Sequence, residues 1–246
     1  MKILTVTCGF CIAAVAASAG EIPDIVEMLR GASNYYEQVN DYTATFHKQQ
    51  RVGGVLYDEE KILVKFRKPF KVYMKWIGPA ENGRELLYVE GKNNNRLLVQ
   101  PGGAWGYFTP AFSIDPESGI AMRKNLRPVT ESGIGNTIKL LLEVCLKAQQ
   151  SGDLTVRYEG EGKIGDRSTY RFERLLPLGK GYPAHRSIIE LDKETGIPLS
   201  ITSYGWKGEL LEKYLYEDLC INAGLTEKDY DRGNSEYRFG RFTVPL

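Results

Sequence analysis

The chain has 246 residues, 42% hydrophobic and 26% charged, with 32 Lys and Arg against 31 Asp and Glu. That balance excludes a protein held to nucleic acid by its net charge, which needs a basic excess or a one-sided basic cluster. His47 and His185 are the only histidines, and neither they nor the cysteines have zinc or iron ligand spacing, so no metal and no cofactor are expected.

At the N-terminus Lys2 gives a short positive start, and Ile3 to Ala17 carries no charge, the profile of a secretory signal peptide. Ala17-Ser18-Ala19 supplies a small-residue cleavage site, so residues 1–19 are expected to be removed ahead of Gly20. The uncharged stretch is shorter than the roughly 20 apolar residues that span a bilayer, and Thr5, Thr7 and Ser18 dilute it further, which weighs against an uncleaved anchor. Neither Cys8 nor Cys11 has the Leu-small-small setting of a lipidation site. The Cys8-Gly9-Phe10-Cys11 pair lies in the apolar signal core, not at a helix N-terminus where a redox thiol is activated, and it leaves with the signal. A periplasmic or otherwise exported location is expected.

The about 227 residues after the signal suffice for one or two domains. Without a Pro/Ser linker or a change of composition, residues 20–246 read as a single domain. From Pro23 to Val39, Ile22, Ile25, Val26, Leu29, Ala32, Tyr36 and Val39 recur at helical steps, and Pro23 suits a first helical turn.

From Tyr42 the period falls to two. Strands are predicted at Tyr42 to Arg51, Val55 to Arg67, Phe70 to Ile77, Arg84 to Glu90 and Arg96 to Gln100, separated by Gly and Pro turns. In the third of these Phe70, Val72, Met74 and Trp76 alternate with Lys71, Tyr73 and Lys75, giving one apolar and one wetter face, as in an antiparallel sheet. The basic residues Lys65, Arg67, Lys68, Lys71 and Lys75 read as a solvated sheet face, or alternatively as a surface that meets anionic lipid headgroups.

Pro101 to Gly133 is too long for an ordinary connection and too aromatic for disorder. Its Trp105, Tyr107, Phe108 and Phe112 either plug the end of the core or form a lid facing a ligand. A helix about Gly135 to Gln149 follows, with Ile138, Leu141, Leu142 and Cys145 along one side. Strands are then predicted at Leu154 to Gly160, Ser168 to Leu175, Ser187 to Leu191, Leu199 to Trp206 and Leu211 to Leu219. Gly160-Glu161-Gly162-Lys163-Ile164-Gly165 spells a dinucleotide fingerprint, but a strand follows it where the fingerprint needs a helix, so a hairpin bend is the better account. Cys145 and Cys220 could pair in an oxidising compartment or stand as free buried thiols.

The predicted fold is therefore mainly β with α: a large curved antiparallel sheet whose apolar face is covered by an N-terminal and a mid-chain helix. Asp58, Glu59, Glu60, Glu85 and Glu90, like His47 and His185, read as ordinary wet-face or satisfied residues. No catalytic residue is assigned and the chain is read as non-catalytic.

Local phrases resemble the periplasmic lipoprotein carriers of the LolA/LolB superfamily: Tyr42-Thr43-Ala44-Thr45-Phe46-His47-Lys48-Gln49, then Val64-Lys65-Phe66-Arg67-Lys68-Pro69-Phe70, then Leu87-Tyr88-Val89-Glu90-Gly91-Lys92. The run from Tyr214 to Tyr230 resembles a bacterial domain family of unknown function allied to those carriers. The resemblance implies an incomplete barrel with an apolar cavity for acyl chains, and hence a lipid or lipidated protein as partner, with an envelope membrane nearby. The cavity candidates are Phe70, Val72, Met74 and Trp76. In the carriers an arginine just before the proline that ends an early strand helps to hold the cavity shut. Lys68 stands at that position here, with Arg67 before it, and lysine lacks the forked donors of arginine. The alternative is a structural or sensor module of the cell envelope whose core is filled by its own side chains.

Overall fold

A computed structural model describes residues 22–106 and 108–239. The expected signal peptide and Tyr107 lie outside these residues. The first helix, α1, spans Ile25–Glu37. Asp24 caps it by accepting hydrogen bonds from the backbone of Val26 and Glu27 at 2.8 and 2.9 Å, so Pro23 stands before the cap, not in the first turn.

The strands that follow are β1 Asp41–Val52, β2 Val55–Leu56, β3 Glu60–Arg67, β4 Lys71–Trp76, β5 Glu85–Val89 and β6 Leu97–Gln100. The connecting region holds a short helix α2 (Gly103–Gly106), β7 (Phe112–Ile114) and another short helix, α3 (Gly119–Met122). Helix α4 spans Ile134–Gln150, and β8 Thr155–Ile164, β9 Arg167–Leu175, β10 Arg186–Asp192, β11 Pro198–Tyr204 and β12 Leu210–Ile221 complete the sheet. The predicted strand from Val55 to Arg67 is two strands. Gly53 and Gly54, both at positive φ, turn β2 back onto the end of β1.

The 12-stranded sheet has the order β7-β6-β5-β4-β3-β1-β12-β11-β10-β9-β8, with β2 off that path on β1. All its pairings are antiparallel, and β7 and β8 do not meet, so the sheet is open. Two meanders are thus joined through the pairing of β1 with β12, where Tyr42 faces Ile221 and Gln50 faces Glu212. The glycine-rich fingerprint lies in β8 and its turn into β9, as a hairpin requires.

Helices α1 and α4 cover the second meander. Ile25, Val26 and Leu29 pack with Leu141 and Cys145 of α4 against Phe172, Ile189, Leu191 and Ile201. The helices approach closely at Gly135, where a Cβ would collide with the Tyr36 ring. At the start of α4, Gly133 has φ +99 and the buried Tyr42 hydroxyl accepts the Ile134 N–H at 3.2 Å. This anchors the end of α4 over the first meander, against Tyr42, Phe66 and Val72.

The outer face of the first meander is not the wet face predicted for Tyr73. Tyr73, Leu87, Val89 and Leu98 are buried beneath Tyr230, Tyr237 and Phe239 of the C-terminal segment, and Tyr73 stacks on Tyr237 at 3.9 Å. The basic face is likewise paired: Lys65 meets Asp229 at 2.8 Å, and Lys71 and Arg67 both meet Glu227. It is a docking face for the chain's own C-terminal acids.

Candidate functional site

The inward positions of β1, β3 and β4 line a cavity of about 120 Å³ on the concave side of the first meander. Its long wall is apolar: Tyr42, Phe46, Ile62, Val64, Phe66, Val72, Met74 and Trp76, with Leu86 and Leu97 from the adjacent strands. Aromatic pairs stiffen this wall, Tyr42 stacking on Phe66 at 5.0 Å and Phe46 on Tyr216 at 4.6 Å. The cover is the segment from Ile114 to Gly133, which contributes Pro116, Ala121, Asn125, Arg127 and Val129.

One pole of the cavity is polar. From Tyr42 to Lys48 along β1 the extended backbone runs about 20 Å, and over that distance the inward face passes from Tyr42, Ala44 and Phe46 to Lys48 and Gln50. Lys48 pairs with Glu60 at 2.8 Å and donates to Asn125 Oδ1 at 2.6 Å. Burial holds its ammonium below the ordinary lysine pKa, and Glu60 partly offsets that. The Gln50 side-chain amide donates to the Tyr214 hydroxyl, while its Oε1 accepts the Leu126 N–H at 3.2 Å. Arg127 donates to Glu212 at 3.2 Å and Lys124 to Glu81 at 2.8 Å. These bonds tie the cover to the sheet. Burial, with Glu212 beside it, pushes the Tyr214 phenol well above its usual pKa, so it stays a neutral donor.

Arg84 completes this pole. Its guanidinium lies over the Trp76 ring, 4.8 Å from the centroid, and has no ion-pair partner among the described residues. The indole N–H of Trp76 is buried and has no hydrogen-bond acceptor among the described residues.

Of the cavity candidates, Val72, Met74 and Trp76 line the wall. Phe70 lies beyond the end of β4 and lines a neighbouring cleft with Tyr36, Lys68 and Ile138. Of the lid candidates, Phe108 and Phe112 are exposed, before and on the edge strand β7, and are not among the residues lining the cavity; Trp105 is described only as part of α2, and Tyr107 is outside the described residues. Lys68 does not face the cavity either. It donates to the backbone oxygen of Tyr36 at 2.5 Å and sits 4.3 Å over the Tyr36 ring, gripping the C-terminal end of α1 where a cation is favoured. Arg67 turns outward to Glu227.

Cys145 is a buried free thiol in α4 and Cys220 an exposed one on β12, so the disulfide alternative is not realised. His47 lies between Glu59 and Glu217, at 3.3 and 2.9 Å, and the His185 Nδ1 contacts the backbone oxygen of Leu176 at 2.8 Å. No group of three or more His, Cys, Asp or Glu able to hold a metal occurs among the described residues.

Lys48, Gln50, Arg84 and Arg127 were not singled out from the sequence. The signal was the phase: Lys48 and Gln50 continue the inward row of β1, and Glu60 that of β3, so polar residues fall in step with the apolar face at one end only.

The family described as "Protein of unknown function (DUF1571)" matches residues 39–239. No curated protein matches the sequence. Among solved structures, the Mycobacterium tuberculosis lipoprotein LppX is similar at 12% identity and TM-score 0.50, over 84% of this chain and 98% of that one. A LolA superfamily protein from Nitrosomonas europaea is similar at 11% identity and TM-score 0.35, over 83% and 96%. Pseudomonas aeruginosa MucB, solved with MucA, is similar at 17% identity and TM-score 0.44 over 85% of this chain, which spans 61% of the matched chain. At such identities the likeness is one of fold.

Proposed function

The chain belongs to the DUF1571 family, whose function is unknown, and from that premise we propose that it is an exported, non-catalytic protein that takes up the apolar part of a lipid or lipidated protein. In this proposal residues 20–246 act as one domain after loss of residues 1–19. The observation that carries it is the apolar concave wall of β3, β4 and β5 beneath a cover that is mostly irregular and tied down by polar bonds.

Magnitudes support uptake through motion of the cover. A cavity of about 120 Å³ is close to the roughly 150 Å³ that admits benzene, so an acyl chain needs the cover to move. Each intramolecular hydrogen bond is worth about 0.5–1.5 kcal/mol net, and each methylene buried returns roughly 0.8 kcal/mol. A few methylenes therefore offset each bond of the cover that is lost. The same small volume favours a second reading, a structural or sensor module of the envelope whose core is self-filled.

Binding of a fluorescent fatty-acyl probe separates the two. The wild-type chain is expected to bind it, and Val72→Asp, which puts a charge in the wall at a cost of several kcal/mol, to abolish binding. Met74→Ala, with thermal unfolding measured for both variants, is the milder partner and should weaken binding in a folded protein. Undiminished binding by a folded Val72→Asp protein would remove this wall from the site, and no binding by wild type would favour the self-filled module.

A further inference from the structure

Resting on the lipid-binding proposal above, we infer that the cavity is built for a single-chain amphiphile with an anionic head, its tail along Phe66, Val72 and Met74 and its head at Arg84 beside the Trp76 indole N–H. The cavity is apolar along its strands, with Lys48, Arg84 and Arg127 at one pole and the carboxylate Glu131 toward the other, which favours an anionic head at the Arg84 end.

The charges at that pole decide the sign of the head. Lys48 is matched by Glu60, Lys124 by Glu81 and Arg127 by Glu212, each within 3.2 Å. Arg84 is the cation lining this pole with no carboxylate in ion-pair contact among the described residues, although Glu81 feels its charge, and it is half-buried with its guanidinium 4.8 Å from the Trp76 ring centroid. The remaining carboxylate on the wall, Glu131, is exposed and lies near Gly133, which packs against Tyr42 at the other end. A buried indole N–H ordinarily finds an acceptor, and that of Trp76 has none among the described residues. An oxyanion at this pole would give the Arg84 guanidinium a carboxylate-like partner. A guanidinium over an aromatic face presents its fork to a carboxylate or phosphate with little loss of freedom, whereas a neutral hydroxyl would give Arg84 no charge-assisted bond.

Carboxylate and phosphate heads share this chemistry, and the test separates them. The exported chain is titrated with palmitate, with a palmitoyl lysophosphatidate and with palmityl alcohol, each below its aggregation concentration. At least one anion is expected to bind about ten-fold or more tighter than the alcohol, the size of a charge-assisted hydrogen bond, and the tighter anion identifies the head. Arg84→Gln should erase that advantage and leave the alcohol's affinity unchanged, while Arg84→Lys, which keeps the charge, should restore part of it. Alcohol binding as tight as both anions, or a loss in Arg84→Gln that is equal for all three, overturns the inference and leaves lipid binding standing. Failure of all three to bind the wild-type chain overturns lipid binding itself, and the inference with it.

Discussion

The two meanders of one sheet are finished in different ways. Over β9, β10 and β11 the cover is two helices meeting the sheet through Leu29, Cys145, Phe172, Ile189 and Leu191, all fully buried. Over β3, β4 and β5 it is the end of α4 and an irregular segment held by Lys48, Gln50, Arg127 and their partners, with a cavity beneath. Helices bury a continuous apolar stripe and cannot lift without losing all of it, whereas a segment fixed by a few polar bonds can exchange them for water at small net cost. The contrast places the tighter packing in the second meander, and under the proposed function it places ligand access in the first.

The largest expected effect tests that assignment directly. Phe172→Ala, in the fully packed meander, should cost about 3–5 kcal/mol in denaturant unfolding. Met74→Ala should cost about 2 kcal/mol, because its void joins an existing cavity under a cover free to settle into it. Equal losses would mean that the two halves are packed alike and that the cavity confers no compliance.

A smaller effect probes the polar pole. Lys48 is 14% and Glu60 8% exposed at the side chain, so Lys48→Met leaves a carboxylate buried without its cation and should cost about 3 kcal/mol. Adding Glu60→Leu should recover most of the loss, because paired burial of charge contributes little net stability. A double variant no more stable than Lys48→Met would show that the pair holds the cover shut by more than its mutual attraction.

Most of the sheet was legible because period-two alternation and Gly or Pro breaks are local signals, as in Phe70 to Trp76. The C-terminal cover was missed, although Glu85–Val89 is buried at every position and its run Leu86-Leu87-Tyr88-Val89 does not alternate, the mark of a strand covered on both faces. The cavity-lining part of the cover in residues 114–133 carried no local signal, because it works through side chains such as Asn125 and Arg127, whose partners on β1 and β12 are fixed only by tertiary folding. Lys68 was placed at a gate by its position before Pro69, and only the approach of α1 supplies the partner it bonds, the backbone oxygen of Tyr36.

The smallest expected effect concerns the outer face of the first meander, which the second meander does not match. Asp229 clamps the C-terminal segment through Lys65 at 2.8 Å and accepts the Thr226 N–H at 2.9 Å. Burial alone would raise its pKa, but the Lys65 hydrogen bond and the Thr226 bonds outweigh that and hold the carboxyl below its ordinary value. A carboxyl whose pKa is lowered in the folded state contributes stability above its unfolded pKa, about 3.9, and loses it as pH falls through the folded value. At neutral pH the wild-type chain should therefore exceed Asp229→Asn in unfolding free energy by about 1 kcal/mol or less, the scale of a partly exposed ion pair. Below about pH 4 that margin should shrink as Asp229 takes up its proton. Chemical denaturation of both chains across the range measures the gap. A margin that stays constant on acidification would mean that the aromatic contacts of Tyr230, Tyr237 and Phe239 hold the segment without help from the charge.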